Sequence, residues 1–219
     1  LLLKSIVAME ILIKIVLILH IIAGNVALIS GAIGMISKKG NAVHKRFGKI
    51  FFYAMMIITV TALFLSIAKS SEFLLYVGIF VFYQIYSGFK AIKNKSLRHN
   101  WLDGIIILAA FINGIAMVAS GAIVLMVFGG ITFLLMFTEW QVFSAYRKGK
   151  EPPRLSWLAK HIGMMTGSYI GAFTAFLVVN IQFQPGWVIW LAPTFVFVPL
   201  MQYWTWKFTK KPLKREASS

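Results

Sequence analysis

The chain alternates long apolar runs with short polar connections, seven times over. Predominantly apolar stretches fall at about 7–37, 43–69, 72–92, 101–122, 124–146, 156–182 and 187–208. Each reaches the roughly 20 residues a helix needs to cross a hydrocarbon layer about 30 Å thick. The spacing predicts an all-α, polytopic transmembrane bundle of seven helices, read as one domain over residues 1–219. The least distinct joint lies between the fourth and fifth runs, where Gly121 or the Gly129-Gly130 pair can make the turn. Glu151-Pro152-Pro153 breaks the chain ahead of the sixth run, with Ser156 as its expected N-cap. Gln184-Pro185-Gly186 turns it ahead of the seventh, which Pro193 and Pro199 are expected to kink. Leu1 to Leu3 and Lys4 are read as the lead into the first helix rather than as a cleaved signal.

Polar and small residues inside these runs are the next level of pattern. In the sixth run Gly163, Gly167, Gly171 and Ala175 recur every four residues and so share one helix face. Such a face lets a neighbouring helix approach closely, which is how helices associate in lipid. His161, Thr166, Ser168 and Tyr169 lie on the same run, so it is expected to be central, with its polar groups turned into the bundle. Ala23, Ala27 and Gly31 repeat the small-residue spacing in the first run. Glu139 stands inside the fifth run, about two turns from Arg147. A carboxyl at that depth is costly unless paired, hydrated or protonated, so it must face the bundle interior or a cavity. Its expected neighbours in depth are Tyr83, Gln84 and Ser87 on the third run and Thr166, Ser168 and Tyr169 on the sixth. It can serve as a proton-handling acid, a metal ligand, a substrate contact or a structural hydrogen-bonding group. Asn25 and Asn113 are expected to hold helices together.

Composition and charge sharpen the topology. The chain is 59% hydrophobic, more than a soluble domain of 219 residues could hide. Twenty-two basic residues against six acidic ones give a net charge of +16. The basic residues form short clusters between apolar runs, not one patch, which argues for membrane topology and against nucleic acid. Nineteen of the twenty-two follow odd-numbered runs; Lys4, Lys14 and Lys69 alone fall on the other side. The positive-inside rule then places the N-terminus outside and the C-terminus in the cytoplasm, which requires an odd number of crossings. Trp187 and Trp190 near one interface, and Tyr203, Trp204 and Trp206 near the other, fit the same frame.

Topology also sorts the four histidines. His44, His99 and His161 open even-numbered runs on the cytoplasmic side, while His20 lies in the outer half of the first run. Three imidazoles at one depth can converge on a transition metal such as zinc or iron and leave a position open. Asp103, four residues after His99, is expected on the same helical face as a further ligand or an orienting group. His44 and His161 can instead hold a haem between two helices. The plain alternative is that histidines at helix ends are interfacial anchors. On the outer side, His20 and Asn180 share a depth and can meet. The absence of cysteine excludes disulfides and thiolate chemistry. No nucleophile elbow, phosphate loop or HExxH-type motif is present.

The segment Leu19-His20-Ile21-Ile22-Ala23-Gly24, followed by Ala27-Leu28-Ile29-Ser30-Gly31, Lys39-Gly40, His44 and Gly48-Lys49, resembles the opening of an uncharacterised bacterial integral membrane family, the DUF2306 type. His161-Ile162-Gly163-Met164-Met165, Ser168-Tyr169-Ile170 and Thr174-Ala175-Phe176 resemble its closing segment. The resemblance implies a multi-pass protein of a bacterial cytoplasmic (inner) membrane that shares His20, His44 and His161 with the family; His99 is not part of that pattern. It implies no activity. Three functions follow from the residues. The first is a metal or haem site at the cytoplasmic face. The second is a small-solute or proton transporter using Glu139. The third is a non-catalytic accessory subunit whose small-residue faces bind another membrane protein or a second copy. A metal-dependent lipid hydrolase is an analogy of architecture alone.

Overall fold

The computed structural model describes residues 2–209. Lys210, Lys211, Lys214 and Arg215, counted above among the cytoplasmic basic residues, lie outside the described residues. Among the described residues there are seven helices and no strand: α1 (Leu2–Ile36), α2 (Ala42–Ala68), α3 (Glu72–Lys93), α4 (Trp101–Ala119), α5 (Ile123–Arg147), α6 (Ser156–Asn180) and α7 (Trp187–Thr209). All seven are long and apolar enough to cross a membrane. The seven helices expected from the apolar runs are therefore the ones observed.

Two local expectations are settled by backbone geometry. The α4–α5 turn is made at Gly121, whose φ of +69° is a conformation that glycine adopts without strain. Gly129 instead lies inside α5 as a contact point. A Cβ there would fall 2.7 Å from Val118 Cγ2 and 2.9 Å from the Gly114 carbonyl oxygen on α4. Ser156 is not the N-cap of α6. Leu155 occupies that position without a side-chain cap, and Ser156 is the first helical residue. The reason is the preceding proline pair: the Ser156 N–H donates to the Pro153 carbonyl at 2.9 Å, so a backbone turn starts the helix.

The chain divides into two compact units, residues 1–82 and the residues from Tyr83 onward, with the boundary inside α3. In the first unit α1 runs along α2, with Ala23, Ala27 and Ser30 buried. His20 Nδ1 lies 2.9 Å from Thr61 Oγ1 between the two helices. At their other ends, His44 Nδ1 lies 2.9 Å from the Gly34 carbonyl oxygen. Asn41 caps α2 by accepting from the His44 N–H at 2.8 Å. Lys39 reaches back to the Gly34 and Met35 carbonyls, closing orphan acceptors at the end of α1. Partial burial in that turn lowers the Lys39 ammonium from its ordinary pKa. The first half of α1 is exposed on nearly every side, with Ile6, Ile11, Ile15, Ile18 and Ile22 each about half accessible.

The second unit is built on Tyr83, Ala110 and Met164, from α3, α4 and α6, with Ile106, Ile107, Leu135 and Met136 packed around them. In lipid such packing gains little from hydrophobic transfer, so close van der Waals contact carries it. Two glycines make that contact possible. A Cβ on Gly88 of α3 would lie 2.9 Å from Met164 Cβ and 3.1 Å from the Met165 backbone nitrogen on α6. A Cβ on Gly167 of α6 would lie 2.0 Å from Oε1 of the buried Gln84 side chain on α3. Gly163, one turn earlier, faces Met201 of α7, so the small-residue stripe of α6 serves two neighbours. Tyr169, Phe173 and Phe197 stack and cross edges between α6 and α7.

Candidate functional site

The polar centre of the second unit is Glu139, which is only 5% exposed. It lies about 12 Å along α5 from the Arg147 end, at 1.5 Å per residue. Three elements converge on it. Tyr83 of α3 donates its hydroxyl to Oε1 at 2.7 Å. Lys160, in the second turn of α6, places Nζ 2.5 Å from the same oxygen. His99, from the α3–α4 connection, brings Nε2 to 2.9 Å from Oε2. That distance puts the imidazole and the buried carboxylate oxygen in ion-pair contact. A buried carboxylate survives only with compensating partners, and here one ammonium, one phenol and one imidazole supply them.

The α3–α4 connection is shaped to deliver His99. Leu97 adopts φ +59° with its side chain buried. This left-handed conformation costs a non-glycine residue about 1–2 kcal/mol. Local bonds hold it: the Leu97 N–H donates to the Asn94 carbonyl at 3.0 Å, and the Asn94 amide donates to the Arg98 carbonyl at 2.6 Å. The Tyr146 hydroxyl of α5 donates to the Ser96 carbonyl. Just beyond, Asn100 and Asp103 form a capping box at the start of α4, with bonds of 2.9 and 2.7 Å. Asp103 Oδ1 also accepts from Tyr86 at 2.9 Å and pairs with Lys90 of α3. A cleft of about 20 Å³, room for about one water, lies among Lys90, Arg98, His99, Asp103 and Lys160.

Each histidine named from the sequence is thus placed. His99 meets Glu139, His161 Nδ1 lies 3.0 Å from the Gly88 carbonyl oxygen, and His44 is held by Gly34 in the first unit. His99 and Asp103 do not share a helical face as expected, because α4 begins only at Trp101 and His99 stands in the connection before it. Among the described residues no group of three His, Asp or Glu side chains is arranged to hold a metal ion. His20 meets Thr61, and Asn180 donates back to the Phe176 carbonyl at 2.7 Å. Of the intramembrane polar residues, Gln84 sits over Gly167, and Ser168 donates to its own helix at the Met165 carbonyl. Sequence reasoning missed Lys160 as a partner of Glu139 and counted it only toward topology. The missed signal is charge balance: a buried acid needs a cation within reach, and Lys160 stands near the matching end of α6.

The seven apolar helices define a multi-pass membrane protein. Its likeness to a known family is direct: the family model described as a predicted membrane protein, DUF2306, matches residues 17–102. That match spans His20, His44 and His99 and stops short of Glu139 and His161. No curated protein and no solved structure matches the chain.

Proposed function

We propose that this protein moves protons, or a small solute together with protons, and that Glu139 is the group that takes them up and releases them. The observation behind this is the buried carboxylate of Glu139, whose Oε2 lies 2.9 Å from His99 Nε2, within reach of direct proton exchange. At that separation a proton can pass between imidazole and carboxylate without an intervening group. His99 also lines the water-sized cleft, so the imidazole stands between that cleft and the carboxylate. By the charge asymmetry this end of the helices is the cytoplasmic one. Reconstituted protein should give pH-driven flux in liposomes. The Glu139→Gln/Lys160→Gln pair, which removes both charges together, should abolish it, and His99→Asn should slow it about a hundredfold, the low side of what general acid–base groups contribute. Equal flux in wild type and the paired variant overturns the proposal.

A second function, binding of a metal or haem by histidine, has its own supporting observation. His44 and His161 each place Nδ1 on a backbone carbonyl, which can only accept. A ring proton therefore sits on Nδ1 of each, held on a backbone carbonyl as in many ligating imidazoles. Purified protein should then carry stoichiometric metal or a Soret band that His161→Ala or His44→Ala removes. Metal-free protein with a featureless visible spectrum rejects it.

A further inference from the structure

The cleft at the start of α4 has a property that the proton chemistry of Glu139 does not use. Its lining carries three permanent cations, Lys90, Arg98 and Lys160, against one carboxylate, Asp103. Lys90 is neutralised by Asp103, and Lys160 by Glu139 behind the wall. Arg98 has no carboxylate partner among the described ion pairs; its guanidinium stacks 5.0 Å from the Tyr146 ring. The left-handed Leu97 and its anchoring bonds fix the backbone from which Arg98 projects. Strain of this kind, held in place by surrounding bonds, concentrates at binding sites. The far wall of the cleft is apolar, formed by Ile106 and Ile107. Another face of the same helix carries Ile105, Leu108 and Ile112, each more than half exposed.

We propose that the mouth of this cleft binds a phosphate group, with Arg98 as its principal ligand at the rim. The enclosed space is too small for a phosphate, which therefore seats at the mouth rather than on the floor beside Asp103. Basic pockets between transmembrane helices at the cytoplasmic side characteristically take anionic lipid headgroups. The exposed isoleucine and leucine side chains of α4 supply a track for the acyl chains of such a lipid. The proposal shares its cleft with the proton reading but stands on Arg98, which forms no ion pair with Glu139 among the described residues.

The test uses the purified full chain in neutral detergent, titrated with phosphatidylglycerol, phosphatidylcholine or inorganic phosphate, with binding read by native mass spectrometry and by thermal shift. Phosphatidylglycerol should bind and raise the melting temperature, and phosphatidylcholine should not. Arg98→Gln should weaken phosphatidylglycerol at least about fivefold, the effect of one basic residue at an anionic surface. Lys148→Gln, an exposed cation outside the cleft, should weaken it less than about twofold. Inorganic phosphate that binds with the same Arg98 dependence identifies a soluble phosphate compound as the ligand; inorganic phosphate without effect identifies the lipid. Equal binding of phosphatidylcholine, or equal losses in Arg98→Gln and Lys148→Gln, overturns the proposal.

Discussion

Lys160→Met should cost about 3–5 kcal/mol of stability, the usual penalty for removing one partner of a buried ion pair. The variant leaves Glu139 buried, with Tyr83 and His99 but no permanent cation. Glu139→Gln should cost less, because the Lys160 side chain, 14% exposed, can extend its ammonium toward the helix end and water. The double variant should recover most of the loss, since neither charge then remains stranded. Denaturant titrations of all four proteins, followed by helical circular dichroism, form the cycle that measures this coupling. A loss below about 1 kcal/mol for Lys160→Met would mean the pair behaves as a surface salt bridge, and the buried-site account would fall.

The second large effect is steric. Gly88→Leu should prevent the second unit from assembling, because α6 presents backbone, not a movable side chain, at 3.1 Å from the new Cβ. Even Gly88→Ala should be destabilising. Overpacking costs about 1–3 kcal/mol, and the gain of about 1 kcal/mol from replacing a helical glycine offsets only part of it. The same shift would stretch the bond from His161 to the Gly88 carbonyl. Gly167→Ala faces a closer contact, 2.0 Å, yet the atom met is the tip of Gln84, which can rotate away. It should remain within about 1 kcal/mol of wild type, with the propensity gain offsetting the displaced amide. Comparing the two alanine variants by thermal unfolding decides the matter. A Gly167→Ala protein less stable than Gly88→Ala would show that the helices meet elsewhere.

The site at Glu139 separates what residue pattern encodes from what tertiary geometry adds. Glu139 was conspicuous because a lone acid in an apolar run must have an interior partner, and counting depth along α3 placed Tyr83 beside it. Counting depth could not find His99, because it lies outside regular helix and its position depends on a left-handed leucine that hydropathy does not encode. The same irregularity misplaced Asp103: helical spacing from His99 has no meaning where the helix has not begun, and the carboxylate turned to Asn100, Tyr86 and Lys90 instead. The helices themselves were legible almost throughout, since run length against membrane thickness needs no tertiary information. Where two candidate turns competed, at Gly121 and Gly129-Gly130, composition was silent. A glycine that reverses the chain and one that admits a neighbouring helix look alike in sequence.

Helix α1 carries a last consequence. Its 35 residues make a rod about 52 Å long, far more than a hydrocarbon layer of about 30 Å can contain upright. Measured back from Ile36, Lys14 comes roughly 33 Å along the axis, close to where the opposite headgroups begin. Thickening the host membrane would draw Lys14, and then Glu10, toward oil, at a cost of fractions of a kcal/mol per ångström of mismatch unless the rod straightens from a tilt. Bilayer thickness, set by acyl-chain length and sterol content, thus decides how deeply Lys14 and Glu10 are drawn into oil.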